Sequence, residues 1–383
     1  MIVKLNDVVD KISGNEDRFT TELEYYLGGE HYECGRIAIY KKGILKDDLN
    51  ILGFKFHFSF KAGDTIFMSR NPHLKKAGMV TFDGICSDTS YILRTKDESV
   101  LLERFLPLVL QNDRFWRWFE ENKSGSVNYL LNWKTLKEYE FDLPPIEEQK
   151  HISDLAWAIE ETRVAYEKMI SATDELVKSQ FMEQFASLIR DDTKCSTIEK
   201  VCTLFADGDW IESKDQSDDG IRLIQTGNVG NGVYLDKGER ARFIDDATFD
   251  RLHCTEVLPN DILISRLPDP VGRACVIPDD LGKTITAVDC SIVRLNESIL
   301  PEFFVAYTLT PLYASQIGTS VTGSTRKRIS RKNLGQVTLP VPSLELQEQF
   351  ADFVRQSDKS KLLAINLMRL NIENTKRKDD RDV

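Results

Sequence analysis

The sequence of 383 residues lacks any apolar run long enough to cross a membrane. A spanning helix needs about 20 predominantly apolar residues, and no stretch here comes close. The first residues, Met1 to Asn6, lead directly into the charged Asp7, unlike the apolar core of a secretory signal. We therefore expect a cytoplasmic protein with no membrane association.

Disulfide and metal-binding patterns are also missing. The seven cysteines are odd in number and contain no C-x-x-C pair, and the five histidines contain no H-x-x-x-H pair. Neither a disulfide framework nor a zinc site is expected from such spacings. The sequence predicts reduced, mostly buried thiols and no metal site.

Complete enzyme motifs are missing as well. Gly282-Lys283-Thr284 would end a phosphate-binding loop only with glycine at position 277, which is Ile277. The glycines of 227–232 follow the order G-x-x-G-x-G, which is wrong for a dinucleotide or S-adenosylmethionine fingerprint. Asn71-Pro72-His73-Leu74 lacks the second proline and the aromatic residue of an adenine methyltransferase motif. We therefore expect no catalytic residues and no cofactor bound by this chain.

The composition is that of a folded protein with more than one domain. Hydrophobic residues make up 41% and charged residues 29% of a chain two to three times the usual domain length. The 50 Lys and Arg against 61 Asp and Glu give a net charge of −11. This balance argues against a surface that binds nucleic acid everywhere, but a local basic patch would still bind phosphates.

A long sequence repeat is present. Leu143-Pro144-Pro145-Ile146-Glu147-Glu148-Gln149 recurs 198 residues later as Val341-Pro342-Ser343-Leu344-Glu345-Leu346-Gln347. At the same spacing, Ser124-Gly125-Ser126 matches Thr322-Gly323-Ser324. We interpret the chain as a tandem duplication with pseudo-two-fold symmetry. Because short β-type runs precede a long helical pattern in each copy, the predicted fold class is α+β.

Each copy ends in a predicted long helix. Residues 146–206 contain neither glycine nor proline, and the apolar residues follow a heptad, which predicts a helix of about 40 residues and about 60 Å. The predicted interface residues are Ile152, Leu155, Ile159, Tyr166, Met169 and Ile170 in the first helix, and Phe350, Phe353, Leu367 and Met368 in the second. We expect the helices to form an antiparallel coiled coil; packing of each helix on its own globule is the alternative.

These patterns together resemble the specificity subunits of type I restriction-modification enzymes. The family's entry into its long helix is similar to L-P-x-P-x-x-E-x-Q, which the second copy matches in full over 339–347, whereas the first copy has Phe141-Asp142 before Leu143-Pro144. The resemblance predicts two mixed α/β target-recognition domains at 1–142 and 193–340. A central long helix at 143–192, and a distal long helix with a charged tail at 341–383, complete the predicted organisation.

The resemblance also implies a function and partners. Each recognition domain would read one half of a bipartite double-stranded DNA target, and the helices would set the spacing and dock two methyltransferase subunits. Restriction and translocase subunits would join them, with S-adenosylmethionine, ATP and Mg bound by those partners. The chain itself would be non-catalytic. Two alternatives remain open: a coiled-coil scaffold without a DNA role, and a divergent metal-dependent nuclease using Asp192 with Glu212 and Lys214.

The strongest DNA-contact segment is 323–333, with five cations in eleven residues. Lys and Arg bind phosphates, and Arg also binds guanine edges in the major groove. The predicted DNA contacts are Arg326, Lys327, Arg328, Arg331, Lys332, Arg266 and Arg273 in the second copy, and Arg70, Lys75, Lys76, Asn128, Tyr129, Trp133 and Lys134 in the first. A solvated basic loop, and core packing of the aromatic residues, are the alternative interpretations.

Overall fold

A computed structural model describes residues 1–71, 74–125, 129–191, 193–323 and 327–379, with side chains described as far as 368. Two of the predicted contacts, Arg326 and Asn128, and the nuclease candidate Asp192 lie outside these residues. The chain forms two compact units. Unit 1 is Met1–Ala165 with Leu370–Val383, and unit 2 is Tyr166–Arg369. No helix within the described ranges is both long and apolar enough to span a bilayer.

Unit 1 is built on two mixed sheets, in which most neighbouring strands are antiparallel, and on short helices. Its strands are β1 (Ile2–Lys4), β2 (Val9–Ile12), β3 (Tyr25–Leu27), β4 (Ala38–Ile39), β5 (Gly43–Ile44), β6 (Phe56–Phe60), β7 (Thr65–Met68), β8 (Ala77–Val80), β9 (Gly84–Ser87), β10 (Ser90–Thr95) and β11 (Glu140–Asp142). The five-stranded sheet has the order β2-β10-β7-β8-β4, and β10 is antiparallel to both β2 and β7. A four-stranded sheet has the order β5-β3-β9-β6, and β1 pairs with β11.

Five short helices belong to the described part of unit 1. They are α1 (Leu5–Val8), α2 (Leu45–Asp48), α3 (Leu106–Gln111), α4 (Asp113–Asn122) and α5 (Trp133–Leu136). Leu45 of α2 packs on the four-stranded sheet. Phe115 and Phe119 lie four residues apart on one face of α4, and both are fully buried with Phe67 and Leu93 of the five-stranded sheet. This burial of large apolar side chains is what holds the helices on the strands.

Unit 2 has a comparable arrangement. Its strands are β12 (Cys195–Thr197), β13 (Cys202–Asp207), β14 (Ile221–Ile224), β15 (Arg242–Ile244), β16 (Ile262–Ser265), β17 (Ala274–Val276), β18 (Thr284–Thr286), β19 (Cys290–Leu295) and β20 (Thr338–Pro340). The four-stranded sheet has the order β13-β19-β16-β17, and β19 is antiparallel to β13 and β16. The short helices are α7 (Asp246–Leu252), α8 (Pro301–Thr308), α9 (Pro311–Ser320) and α10 (Arg331–Gly335). The predicted mixed α and β content is therefore confirmed.

Two long helices follow the globular parts, as predicted. Helix α6 spans Ile146–Phe185, which is 40 residues, and the second, α11, spans Leu344–Asp379, which is 36 residues. Within unit 2, Phe181 and Phe185 of α6 are buried in one apolar core with Phe303 of α8 and Phe350 of α11. The end of α6 is therefore anchored in the core of unit 2.

The first half of α6 packs on unit 1 mainly through residues outside the heptad pattern, although the predicted interface residue Ile152 also packs against the unit 1 core. Gln149, Ser153, Trp157 and Glu160 are all buried, whereas the predicted interface residue Leu155 is 41% exposed. Trp157 packs with Ile37 and Met79. Three of the four buried residues are polar, so the spacing of apolar residues does not reveal this face of the helix. In this half, the helix follows the alternative interpretation of packing on its own globule.

Candidate nucleic-acid interface

A backbone bridge in unit 2 anchors the predicted DNA-contact segment. The N–H groups of Thr322 and Arg328 each donate to the other residue's carbonyl, with both N to O distances 2.9 Å. The next residue, Ile329, is fully buried and donates to the carbonyl of Arg266 at 3.3 Å. The segment is therefore attached beside the end of β16, with Arg328 next to a core residue.

Two carboxylates gather three of the predicted arginines. Nη2 of Arg266 is 3.3 Å from Oδ1 of Asp207, and Nε of Arg331 is 3.9 Å from Oδ2 of the same residue. Nη2 of Arg328 lies 2.7 Å from Oδ1 of Asp289. Asp207 ends β13, and Asp289 immediately precedes β19, so the antiparallel pairing of these strands brings the carboxylates to one end of the sheet. These five residues are called the arginine–aspartate cluster below.

The members of the cluster differ in their accessibility to a ligand. Arg266 is 4% exposed, whereas the side chains of Arg328 and Arg331 are 45% and 46% exposed. Lys327 and Lys332, on either side of Arg328 and Arg331, are also exposed. The predicted segment thus presents charged groups to solvent. Arg266 is buried next to it and accepts a backbone hydrogen bond from Ile329.

Arg273 has a structural role. Its guanidinium donates to four backbone carbonyls: Nε to Val229 at 2.6 Å, Nη2 to Thr226 at 2.8 Å, and Nη1 to Leu267 at 2.8 Å and Pro270 at 3.1 Å. A guanidinium used in this way ties loops to the end of β16. DNA contact by Arg273 stays a prediction.

Unit 1 has a similar backbone bridge with different side chains. The N–H groups of Ser124 and Leu130 donate to each other's carbonyls at 3.1 and 2.9 Å, and the buried Leu131 donates to the carbonyl of Ser69 at 3.0 Å. Arg70 is exposed beside Leu130. Leu130 therefore occupies the bridge position that Arg328 occupies in unit 2.

The aromatic candidates of unit 1 are half-buried. Tyr129 packs against the main core of unit 1, with Nζ of Lys123 4.0 Å from its ring centroid. The ring of Trp133 meets that of Tyr91 edge to face at 5.9 Å. Each aromatic residue thus combines core packing with a partly accessible surface. The contact of both with DNA stays a prediction.

The basic candidates of unit 1 are spread over several elements. Lys75 forms an ion pair with Asp113 at the start of α4, with Nζ 3.0 Å from Oδ1. Lys76 is half-buried, and Lys134 is exposed on α5. Within the described part of unit 1, these cations lie on separate elements, and the ion pairs do not gather them into one cluster like that of unit 2.

The described residues offer no group of three His, Cys, Asp or Glu side chains arranged to hold a metal ion. The nuclease candidates Glu212 and Lys214 form a local ion pair at 2.7 Å, and Lys214 holds the pKa of the Glu212 carboxyl below its usual value.

Four of the seven cysteines are buried free thiols, as the sequence predicts: Cys86, Cys254, Cys275 and Cys290.

Local sequence patterns do not predict a role for Asp207 and Asp289. Both carboxylates pair with residues far away in the chain, so no local spacing reveals them. Their position just outside apolar β-type runs is the one available signal, because the ends of neighbouring antiparallel strands lie close together.

Comparison with known proteins places this chain in a family. The family model described as the type I restriction modification DNA specificity domain matches residues 1–171 and 190–373. The chain belongs to this family.

Two curated relatives illustrate the similarity. The EcoBI type I restriction enzyme specificity subunit of Escherichia coli is 21% identical over 71% of this chain and 65% of its own length. The putative type I restriction enzyme MjaX specificity subunit of Methanocaldococcus jannaschii is 24% identical over 60% of this chain and 54% of its own length. The matches span about two thirds and about half of these relatives.

Solved structures share the fold. The S subunit of a type I restriction-modification system from M. genitalium matches with a TM-score of 0.51 and 14% identity, covering 97% of this chain and 92% of that one. A chain from a study of complex assembly and conformational transition in the type I R-M system matches with a TM-score of 0.51 and 18% identity, covering 98% and 93%. The similarity thus extends over nearly the whole chain.

Proposed function

We propose that this chain is the non-catalytic DNA-specificity subunit of a type I restriction-modification complex. The recognition domain at 1–142 reads one half of a bipartite duplex target, and the domain at 193–340 reads the other. The observation that carries this proposal is the shared backbone bridge with different residues on it, Leu130 in unit 1 and Arg328 in unit 2. A common scaffold with divergent side chains suits the recognition of two different half-sites.

A tandem duplication as the origin of the two domains is supported by matching ion pairs. In unit 1, Nη2 of Arg94 donates to Oδ2 of Asp64 at 2.9 Å, and Nε donates to the other carboxylate oxygen. In unit 2, Arg294 donates to Asp261 in the same two-pronged way at 2.9 and 2.8 Å. Bidentate pairs of this kind depend on a defined relative position of the two residues.

We further propose that α6 and α11 form an antiparallel coiled coil that separates the half-site readers. The contacts described in unit 2 support this arrangement: the rings of Phe181 and Phe350 have centroids 5.5 Å apart, and Nζ of Lys361 is 2.8 Å from Oδ1 of Asp174. Contacts that move backwards along α6 move forwards along α11, as in an antiparallel pair. A helix of 40 residues is about 60 Å long, enough to separate half-sites by more than one turn of DNA.

The long helices are also the proposed docking site for two methyltransferase subunits. Several apolar residues on them are exposed: Met169, Leu176, Leu362, Leu363 and Leu367. Exposed apolar residues of this number on two helices are typical of a surface that a partner covers. Restriction and translocase subunits complete the proposed cytoplasmic complex, with S-adenosylmethionine, ATP and Mg on the partners.

The experiment is to express the chain with its modification subunits in a host lacking other adenine methylation and to sequence the methylated sites. We expect one asymmetric, bipartite motif that disappears when this chain is omitted. If the chain is a scaffold without a DNA role, cells that contain it should show no methylation, or methylation that does not depend on sequence. In a separate reaction, methyl transfer to DNA by the purified chain alone would contradict its non-catalytic role.

A further inference from the structure

The ion pair between the exposed Arg328 and the half-buried Asp289 differs from the rest of the arginine–aspartate cluster in its surroundings. Arg328 is held by the backbone bridge to Thr322, and its neighbour Ile329 is fully buried, so the base of the side chain is fixed. Asp289 adopts φ +78°, and its backbone carbonyl accepts the N–H of Arg266 at 2.7 Å. The backbone of both partners is thus held in place by hydrogen bonds.

The scaffold does not require this pair. In unit 1, the N–H of Ser69 donates to the carbonyl of Thr89 at 2.8 Å, as Arg266 donates to Asp289 in unit 2. Thr89 therefore stands where unit 2 has Asp289, and Leu130, 42% exposed, stands where unit 2 has Arg328. The same backbone arrangement exists with uncharged residues, so the charged pair meets a requirement other than folding.

A carboxylate beside a guanidinium disfavours a phosphate ligand. The phosphate would be repelled by the carboxylate, and binding to a nearly neutral ion pair displaces little counterion. Lys327 and Lys332 are exposed cations in the same segment and suit phosphates better. The two lysines are therefore suited to phosphates, whereas Arg328 beside Asp289 is suited to a different ligand.

A base edge fits the remaining donors of Arg328. Its guanidinium has five N–H groups, and the ion pair with Asp289 involves Nη2, so the remaining N–H groups can serve another ligand. Two parallel N–H groups match O6 and N7 of guanine in the major groove. Orientation by Asp289 before binding also reduces the rotamer freedom that Arg328 loses in the complex.

We infer that Arg328 reads a guanine edge in the half-site bound by unit 2, that Asp289 is its positioning residue, and that Lys327 and Lys332 contact phosphates. This inference rests on the proposed function. It assigns a chemical role, recognition of one guanine, to one side chain.

The test uses the chain assembled with its modification subunits and a duplex DNA library randomised across the target. Arg328→Lys keeps the charge and removes the planar fork, and Arg328→Leu introduces the residue that unit 1 has at the bridge. Both should lower the preference for guanine at one position by about 5- to 150-fold, with the other half-site unchanged. Because Leu130 occupies the same bridge, Arg328→Leu is compatible with the fold.

Asp289→Asn separates positioning from a merely structural role. Freed from the carboxylate, Arg328 becomes available to phosphates, so the guanine preference should fall by about 2- to 5-fold. The dependence of log K on log salt should steepen by up to about 0.9. The control is Asp236→Asn, which removes a comparable ion pair to Arg222 on β14, 3.0 Å long, and should leave both measurements unchanged.

Failure of this inference and failure of the proposed function would give different results. Equal weakening of all sequences by Arg328→Lys or Arg328→Leu, or an unchanged preference, would overturn the inference while leaving sequence-specific binding intact. An unchanged salt dependence and base preference in Asp289→Asn would overturn the positioning role. No sequence selection by the unaltered complex would instead overturn the proposed function itself.

Discussion

Gln149 and Gln347 lie 198 residues apart and make the same three hydrogen bonds. Oε1 of Gln149 accepts the N–H of Leu102 at 3.0 Å, and Nε2 donates to the carbonyls of Val100 and Pro144 at 2.8 and 2.9 Å. The partners of Gln347 are Leu300, Ser298 and Pro342, at 2.9, 2.8 and 2.9 Å, each also 198 residues further along the chain. Each glutamine thus joins the start of a long helix to its own globular part.

Removing this amide should destabilise the corresponding unit. Both glutamines are fully buried, so Gln347→Ala leaves buried backbone groups without partners and should lower the free energy of unfolding by about 2–4 kcal/mol. Gln149→Ala should have a similar effect in unit 1. Gln349→Ala, at an exposed position of the same helix as Gln347, is the matched control and should cost less than about 0.5 kcal/mol. Denaturant unfolding gives all three values; equal effects of Gln347→Ala and Gln349→Ala would contradict the structural role.

A buried ion pair fastens α6 to unit 1. Nε of Arg36 donates to Oε1 of Glu160 at 2.7 Å, and both side chains are buried. Because Glu160→Ala removes the closest carboxylate from a buried guanidinium, it should lower the free energy of unfolding by about 3–5 kcal/mol. Glu161→Ala, one residue along and exposed, should have little effect. Recovery of stability in the double variant Arg36→Met with Glu160→Leu would show that the loss arises from burial of the Arg36 charge without the Glu160 carboxylate.

Thiol alkylation should be selective. Burial raises the pKa of the Cys86, Cys202 and Cys275 thiols to about 12, and that of Cys290 to about 11. Cys34 is the exposed cysteine, so iodoacetamide at pH 8 should modify it first, since the thiolate is the reacting species. Mass spectrometry of the digested protein measures this order. In Cys34→Ser, a rapid phase that persists would contradict the assigned burial.

The lysines of unit 2 should affect affinity without affecting sequence preference. Lys327→Ala and Lys332→Ala should each flatten the dependence of log K on log salt by up to about 0.9 in the assembled complex. Lys283→Ala is the control, because that exposed lysine pairs with Asp246 next to a different sheet. An unchanged slope in both lysine variants would mean that these side chains are only solvated.

The long helices and the mixed α and β content could be predicted from the sequence, but the contacts between elements could not. The stretch without glycine or proline after Ile146 predicted α6 well, because a long helix needs only a local pattern. The pairing of Asp207 with Arg331 depends on strand order, which local patterns do not contain. Arg273 illustrates the same limit, because a cation in a loop suggests an exposed contact, yet here it binds four carbonyls.

The spacing role of the helices is the central claim, and inserting residues into α6 tests it most directly. Four residues inserted after Ser171 add about 6 Å of rise and leave the helix faces about 40° out of register, so the helix pairing should survive. An insertion of four residues after Asp279, at an exposed turn of unit 2, is the control for disturbance of the fold.

Sequencing the methylated sites of cells that express each chain with its modification subunits measures the half-sites and the gap together. At about 3.4 Å per base pair, the insertion after Ser171 should lengthen the gap by about one to two base pairs and leave both half-sites unchanged. The control insertion should leave the gap as it is. Active complexes with an unaltered gap after the Ser171 insertion, or with altered half-sites, would contradict the account.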